Sequence, residues 1–296
     1  MATAALPAGL PYRGVFMNMD QSVKRRAALT AQLSALGIGG RYQRFAAIDG
    51  RTLSRRSPHG GGVVGTFASH MTVIEQAAKE PVPTHVMEDD AVLGPAFVPS
   101  LATLGKRGAL SQYDMVFTEV QLPLNLQALK MLKGQFDAAT ADPAPQAVAQ
   151  RLQTLDLARF AFACASSYFV SPQGAARLAP LLRREWESGP QVQIDLLFRR
   201  EVQQGRVRAA CLFPFVTTID LDSIFDSAAE GYAVRESPLA VALLRYAFFV
   251  GADLEGRAGG LLRELTEWAD DGAPDVQRRF VSEILGVILS RRFAMY

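Results

Sequence analysis

Thr84-His85-Val86-Met87-Glu88-Asp89-Asp90 is the stretch around which the rest of the chain is read. An apolar run ends there in three consecutive carboxylates. Val86 and Met87 read as the end of a buried strand. The acids then emerge at its carboxyl edge, where open α/β sheets bind ligands. Three adjacent negative charges repel one another. A hard divalent cation relieves that repulsion, because Mg²⁺ and Mn²⁺ are held by one or two carboxylates together with substrate phosphates. A solvated acidic turn is the other reading these residues permit.

Upstream, Gly14 to Met19 reads as a first buried strand, followed by a helix from Asp20 or Ser22, both N-cap types, to Leu36. Gly37 and Gly39-Gly40 stop that helix. Arg41 to Ile48 follows as a second strand, closed by Asp49-Gly50. This βαβ order predicts a parallel sheet. The Gly-x-Gly-x-x-Gly pattern is absent from its first turn, which argues against a nicotinamide or flavin dehydrogenase. Arg51 to Gly65 is a glycine-rich loop carrying Arg51, Arg55 and Arg56. It suits phosphate contacts and equally a plain connector. The helix predicted over 66–78 carries Ser69 and His70, with His70 facing either a ligand or the core.

Downstream, Tyr113 to Thr118 reads as a core strand and Leu122 to Ala149 as an irregular insertion. Arg159–Cys164 and Ser167–Val170 read as adjacent strands. Ser171-Pro172 opens a helix through Leu182. Asp195 lies alone inside the apolar run Val192 to Phe198. An ionised carboxylate there needs a role or a mate. It either caps a helix over 195–204 or serves as a general base. Asp220, Asp222 and Ser223 follow the strand-like 207–213, where the acids either join the metal site or form a turn.

The chain of 296 residues is 49% hydrophobic and 20% charged, enough for a sizeable core. A net charge of +2 gives no case for nucleic-acid binding. Cys164 and Cys211 form neither a metal motif nor a disulfide framework, which fits a reducing compartment. The first ten residues lack a basic n-region, and no apolar run reaches transmembrane length, so a cytoplasmic location is predicted. From Pro238 onward three helices are expected, over 238–250, 261–268 and 274–293. The last has an apolar side ringed by Arg278, Arg279, Arg291 and Arg292. Such a helix packs on the domain, forms a homodimer, or lies peripherally on an anionic membrane.

In order, these pieces resemble glycosyltransferase family 25, which includes lipooligosaccharide galactosyltransferases. Asn18-Met19-Asp20 with Arg25, Ala47-Ile48-Asp49-Gly50, Gly65 to His70, Glu88-Asp89-Asp90, and Tyr168 to Ala175 each resemble a family motif, as does the tail Pro214 with Asp222-Ser223-Ile224. The family usually has Cys at Thr66, a difference read as packing. It tends to have glycine before the later aromatic, where Ser166-Ser167 stand here and bear on the sugar or acceptor pocket. The resemblance implies an α/β, GT-A-type single domain over 1–236, with a mixed, mainly parallel sheet flanked by helices, plus a C-terminal helical extension over 237–296. It implies inverting, metal-dependent transfer of a hexose, galactose or a relative, from a UDP-sugar to a glycan or glycolipid hydroxyl. A protein acceptor is also open, since related collagen galactosyltransferases modify one. In this frame Asp90, with Glu88 and Asp222, binds Mn²⁺ or Mg²⁺. Asn18, Arg25, Asp49, Ser69, His70, Glu88 and Asp89 bind the donor, and Asp195 is the general base. Two other classes stand beside it: a non-catalytic sugar-nucleotide-binding protein on a degenerate GT-A fold, and a metal-dependent phosphohydrolase or nucleotidyltransferase.

Overall fold

The computed structural model describes residues 10–53, 57–121, 126–226, 236–253, 256 and 260. A seven-stranded sheet runs through it, in the spatial order β2-β1-β3-β7-β5-β8-β6. Its strands are β1 (Arg13–Asn18), β2 (Tyr42–Ala46), β3 (Thr84–Glu88), β5 (Met115–Phe117), β6 (Gln153–Asp156), β7 (Ser167–Val170) and β8 (Ala209–Phe213). β2, β1, β3, β5 and β8 share one direction, and β7 and β6 oppose it. The sheet is therefore mixed and mainly parallel, as the family resemblance implies, with the parallel β1-β2 pair that the βαβ pattern predicts.

Alternate residues of these strands enter two separate apolar cores, one on each face. Val15, Met17, Val86, Phe117, Tyr168 and Val170 face one core. Phe16, Met87, Val116 and Phe169 face the other. The first is covered by α2 (Gly61–Ala77), α7 (Pro172–Glu187), α8 (Ile194–Gln203) and α9 (Glu236–Ala247). The second is covered by α1 (Val23–Ala35), α3 (Phe97–Arg107), α4 (Ala109–Gln112) and α6 (Pro145–Arg151). Ser171 caps α7 as expected, its Oγ accepting from the Gly174 amide at 3.0 Å.

Several elements depart from the sequence reading. α2 begins at Gly61, so the last five residues of the supposed glycine-rich loop, 61–65, belong to its start. Packing overrides the poor helix propensity of glycine there. A Cβ on Gly65 would fall 2.7 Å from the Gly50 nitrogen and nearer still to the Ile48 carbonyl oxygen. Only a glycine lets α2 approach that loop so closely. The stretch read as an irregular insertion holds α5 (Leu126–Thr140) and α6. Leu129, Leu132 and Ala139 are buried along α5 at helical spacing. Residues 159–164 are not a strand: a 3-10 turn covers Leu157–Arg159, and Phe162 leaves it to pack on Phe117. Neither Asp20 nor Ser22 caps α1 through its side chain. A short second sheet, unforeseen, pairs β4 (Ala91–Leu93) with β9 (Thr217–Ile219).

Residues 242–250 are buried in the same two cores as the preceding chain. The helices expected over 261–268 and 274–293, with the dimer and membrane contacts expected of them, lie outside the described residues, as do Arg55 and Arg56. Among the described residues no helix is long and apolar enough to cross a membrane.

Candidate active site

Strand direction brings the motifs together. β2, β1 and β3 end at one edge of the sheet, delivering Asp49, Asn18 and Glu88-Asp89-Asp90 side by side. β7 runs the other way, so Cys164 to Ser166, just before its start, reach the same edge. The Glu88 amide donates to the Ser166 carbonyl at 2.8 Å. An open cleft of about 880 Å³ lies there. Arg25, Asp49, Ser69, His70, Glu88, Asp89, Asp90 and Asp195 all line it.

The three acids differ in surroundings. Asp90 is the most constrained. Its Oδ2 accepts from Ser223 Oγ at 3.0 Å, while its Oδ1 is buried without a hydrogen-bond partner among the described residues. Burial first, then the neighbouring Glu88 charge, pushes its carboxyl up to about 7. An orphaned carboxylate oxygen held beside two further acids is a donor suited to a hard cation, so the residues fit Mn²⁺ or Mg²⁺. Asp89 Oδ2 accepts from Asn18 Nδ2 at 2.7 Å and Oδ1 from Arg25 Nη1 at 3.4 Å. Burial still leaves its carboxyl raised. Glu88 accepts from His70 Nε2 at 3.1 Å. Burial works to raise its carboxyl, but the His70 hydrogen bond and charge, with Arg245 and Arg25, outweigh burial and lower it. Among the described residues no three His, Cys, Asp or Glu side chains converge as a ready-made metal cage. A site sharing its cation with substrate phosphates needs no such cage.

Some expected donor-binding residues spend their polar atoms inside the protein rather than in the cleft. Asn18 is buried and does not line the cleft. It holds Asp89 and Ser22, and receives Arg44 Nε at 2.9 Å. His70 is fully buried, its Nδ1 bonded to Tyr168 Oη at 2.9 Å and its ring stacked on Tyr168. With both nitrogens engaged, it orients Glu88. Ser69 Oγ spans backbone, donating to the Gly65 carbonyl and accepting from the Ile48 amide at 2.9 Å. It ties α2 to the Asp49 loop. Asp222 is exposed and does not line the cleft, and it is Ser223 that reaches Asp90. Asp49 is gripped by Arg51, whose Nη2 donates at 2.7 Å; those hydrogen bonds hold its carboxyl low.

Asp195 sits in the first turn of α8, across the cleft. It does not cap the helix as expected: α8 begins at Ile194, and Gln193 is its N-cap, without a side-chain cap hydrogen bond. Asp195 Oδ1 accepts from the Leu196 amide and its Oδ2 from the Cys164 amide, each at 2.8 Å. Its charge also suits the positive end of the helix.

Three features differ from the sequence reading. The first turn of α2 lines the cleft with Gly61, Gly62 and Val63, without a side-chain cap, and so presents amides of the kind that bind phosphate. Thr66 is exposed in the cleft, where a packing role was expected. Ser166 and Ser167 point inward rather than shaping the cleft. Ser166 Oγ donates to Glu119, and Ser167 Oγ bonds His85 Nε2 at 3.1 Å. A lone acid such as Glu119 just past a buried strand was the available signal.

No curated protein sequence matches the chain. The crystal structure of a mannose-1-phosphate geranyltransferase from Thermus thermophilus is similar at 11% identity and a TM-score of 0.35, covering 68% of this chain and 73% of that one. The profile of "Glycosyltransferase family 25 (LPS biosynthesis protein)" matches residues 15–198, from β1 through the Asp195 turn, and the chain therefore belongs to glycosyltransferase family 25.

Proposed function

We propose that the protein transfers a hexose, galactose or a relative, from a UDP-sugar to a hydroxyl of a glycan acceptor of the lipooligosaccharide or surface-polysaccharide kind, with inversion at the sugar carbon. The observation that carries this is the convergence of Arg25, Asp49, the Glu88-Asp89-Asp90 strand end and Asp195, from four separate chain segments, on one cleft. A cleft that is acidic at one point and rich in cationic and amide donors nearby suits a nucleoside diphosphate bound with a cation.

Asp90 would hold Mn²⁺ or Mg²⁺, with Glu88 beside it; when bound, the ion supplies Lewis-acid stabilisation of the diphosphate's charge. The chain's own groups complete the site. Arg25, Lys24 and the α2 amides border the cleft and offset diphosphate charge. Asp89, fixed by Asn18 and Arg25, and Glu88, fixed by His70, present carboxylate oxygens to sugar or ribose hydroxyls. Asp195, anchored through two backbone amides, takes the proton of the acceptor hydroxyl as the acceptor oxygen bonds the sugar carbon and the bond to UDP breaks. No nucleophilic serine or cysteine is needed. Burial pushes the cleft-lining Cys164 thiol up to about 12, which keeps it protonated and unreactive.

Product analysis tests this. The protein is incubated with a panel of UDP-hexoses, Mn²⁺ and lipooligosaccharide core acceptors. Acceptor-dependent release of UDP with a gain of one hexose on the acceptor is expected. Pyrophosphate, or nucleotide cleavage that acceptors never divert into transfer, would overturn the proposal in favour of a nucleotidyltransferase or phosphohydrolase.

A further inference from the structure

Beneath the cleft lies a charged group that the proposed chemistry does not use. Glu119 follows β5 at the same sheet edge and is buried, as is Arg245 of α9. Arg245 Nη1 lies 3.3 Å from Glu119 Oε2, while Arg245 Nε and Glu119 Oε2 have no hydrogen-bond partner among the described residues. A buried pair this incompletely bonded is a costly device for stability alone. Its other side explains its placement. Glu119 Oε1 accepts from Ser166 Oγ and from Cys164 Sγ, the latter at 3.4 Å.

The segment so gripped is unusual. Cys164 has φ +78°, a left-handed conformation that a non-glycine residue adopts only when its surroundings impose it. That kink aims the Cys164 amide at Asp195 Oδ2, 2.8 Å away. Two residues on, the Ser166 carbonyl receives the Glu88 amide. One short segment thus connects the two opposing walls of the cleft. The Arg245 charge also acts on both Glu88 and Asp90.

We propose that Arg245 is a positioning residue: paired with Glu119, it clamps Cys164–Ser166 and so sets the Asp195 carboxylate against the Glu88–Asp90 strand end. α9 is then part of the active-site machinery rather than an appendage to it. The consequence for turnover rests on the transferase reading, but the clamp itself does not.

The test measures amide hydrogen exchange and steady-state kinetics on Arg245→Met, Arg245→Lys and Glu119→Gln in the full chain. In Arg245→Met, exchange at the Cys164 and Glu88 amides rises at least about tenfold while Val116 and Phe169 in the central sheet keep their protection. Arg245→Lys recovers most of the difference. Should Arg245→Met fail to fold, Glu119→Gln, which keeps the shape and removes the charge, carries the same expectation. For turnover, kcat falls at least about tenfold with donor KM within about twofold of wild type, and lysine rescues it. Unchanged protection at Cys164 and Glu88 in the folded variants overturns the clamp. Faster exchange with unchanged kcat overturns the positioning role. A wild-type protein with no transfer activity refutes the proposed function alone, and the exchange arm still decides the clamp.

Discussion

Acid should weaken this fold through His85, and the size of the effect follows from its surroundings. His85 is fully buried in β3. Its ring stacks on Phe169 at 4.2 Å and packs against Phe97 and Tyr12. Nδ1 bonds Tyr42 Oη at 2.8 Å and Nε2 bonds Ser167 Oγ at 3.1 Å, both neutral partners. Burial alone lowers its pKa from 6.5 to about 3. The folded protein therefore refuses a proton that the unfolded chain accepts below pH 6.5. Stability is full above that pH and is lost as pH falls toward 3. Each pH unit in that window is worth about 1.4 kcal/mol, so by pH 4.5 the loss is roughly 2.5 kcal/mol. Urea unfolding of wild type and His85→Gln at pH 7 and pH 4.5 isolates this contribution, since acids common to both proteins cancel in the difference. The variant is less stable at pH 7, and the gap narrows by about 2.5 kcal/mol at pH 4.5. A gap that stays constant to within about 0.5 kcal/mol would show that burial does not hold His85 neutral.

Two substitutions probe other parts of the molecule. Gly65→Ala drives a Cβ into the backbone of Ile48 and Gly50, and overpacking against backbone predicts a loss of about 1–3 kcal/mol. Calorimetry checks it, and an unchanged Tm would show that α2 and the Asp49 loop do not meet as described. Asp195→Asn retains UDP-sugar binding and loses about 10²- to 10⁴-fold in transfer. A loss of donor binding instead, read by titration calorimetry, would move Asp195 to the donor side.

Much of this architecture was legible in the sequence because local signals and tertiary demands agreed. Val86-Met87 followed by three acids marked a strand end whichever way the sheet was built. Ser171-Pro172 marked a helix start, and Ser171 Oγ caps it. The signals failed where packing overruled propensity. Gly61 and Gly65 read as loop, yet they are what allows α2 to begin against Arg51 and Gly50. Arg159–Cys164 read as a strand, but Phe162 leaves the 3-10 turn to fill the core against Phe117. Within the site, residue identities were easier to find than their layers. His70 and Asn18 belong to the constellation, and each holds one carboxylate while its other hydrogen bonds go to protein groups behind it. Glu119 and Arg245 went unnoticed because they meet from elements over a hundred residues apart, and only the fold brings them within 3.3 Å.

On the proposed function, Asp90 and its neighbours bind a UDP-sugar together with a divalent cation. Thermal unfolding of wild type and Asp90→Ala, with UDP-, GDP-, CMP- and dTDP-sugars in Mn²⁺ or chelator, tests it most directly. One UDP-sugar is expected to stabilise wild type only in Mn²⁺, by about 2.7 kcal/mol at a hundred times its Kd, and to leave Asp90→Ala unshifted. Stabilisation that survives chelator and the Asp90→Ala substitution, or no shift with any nucleotide sugar, would contradict it.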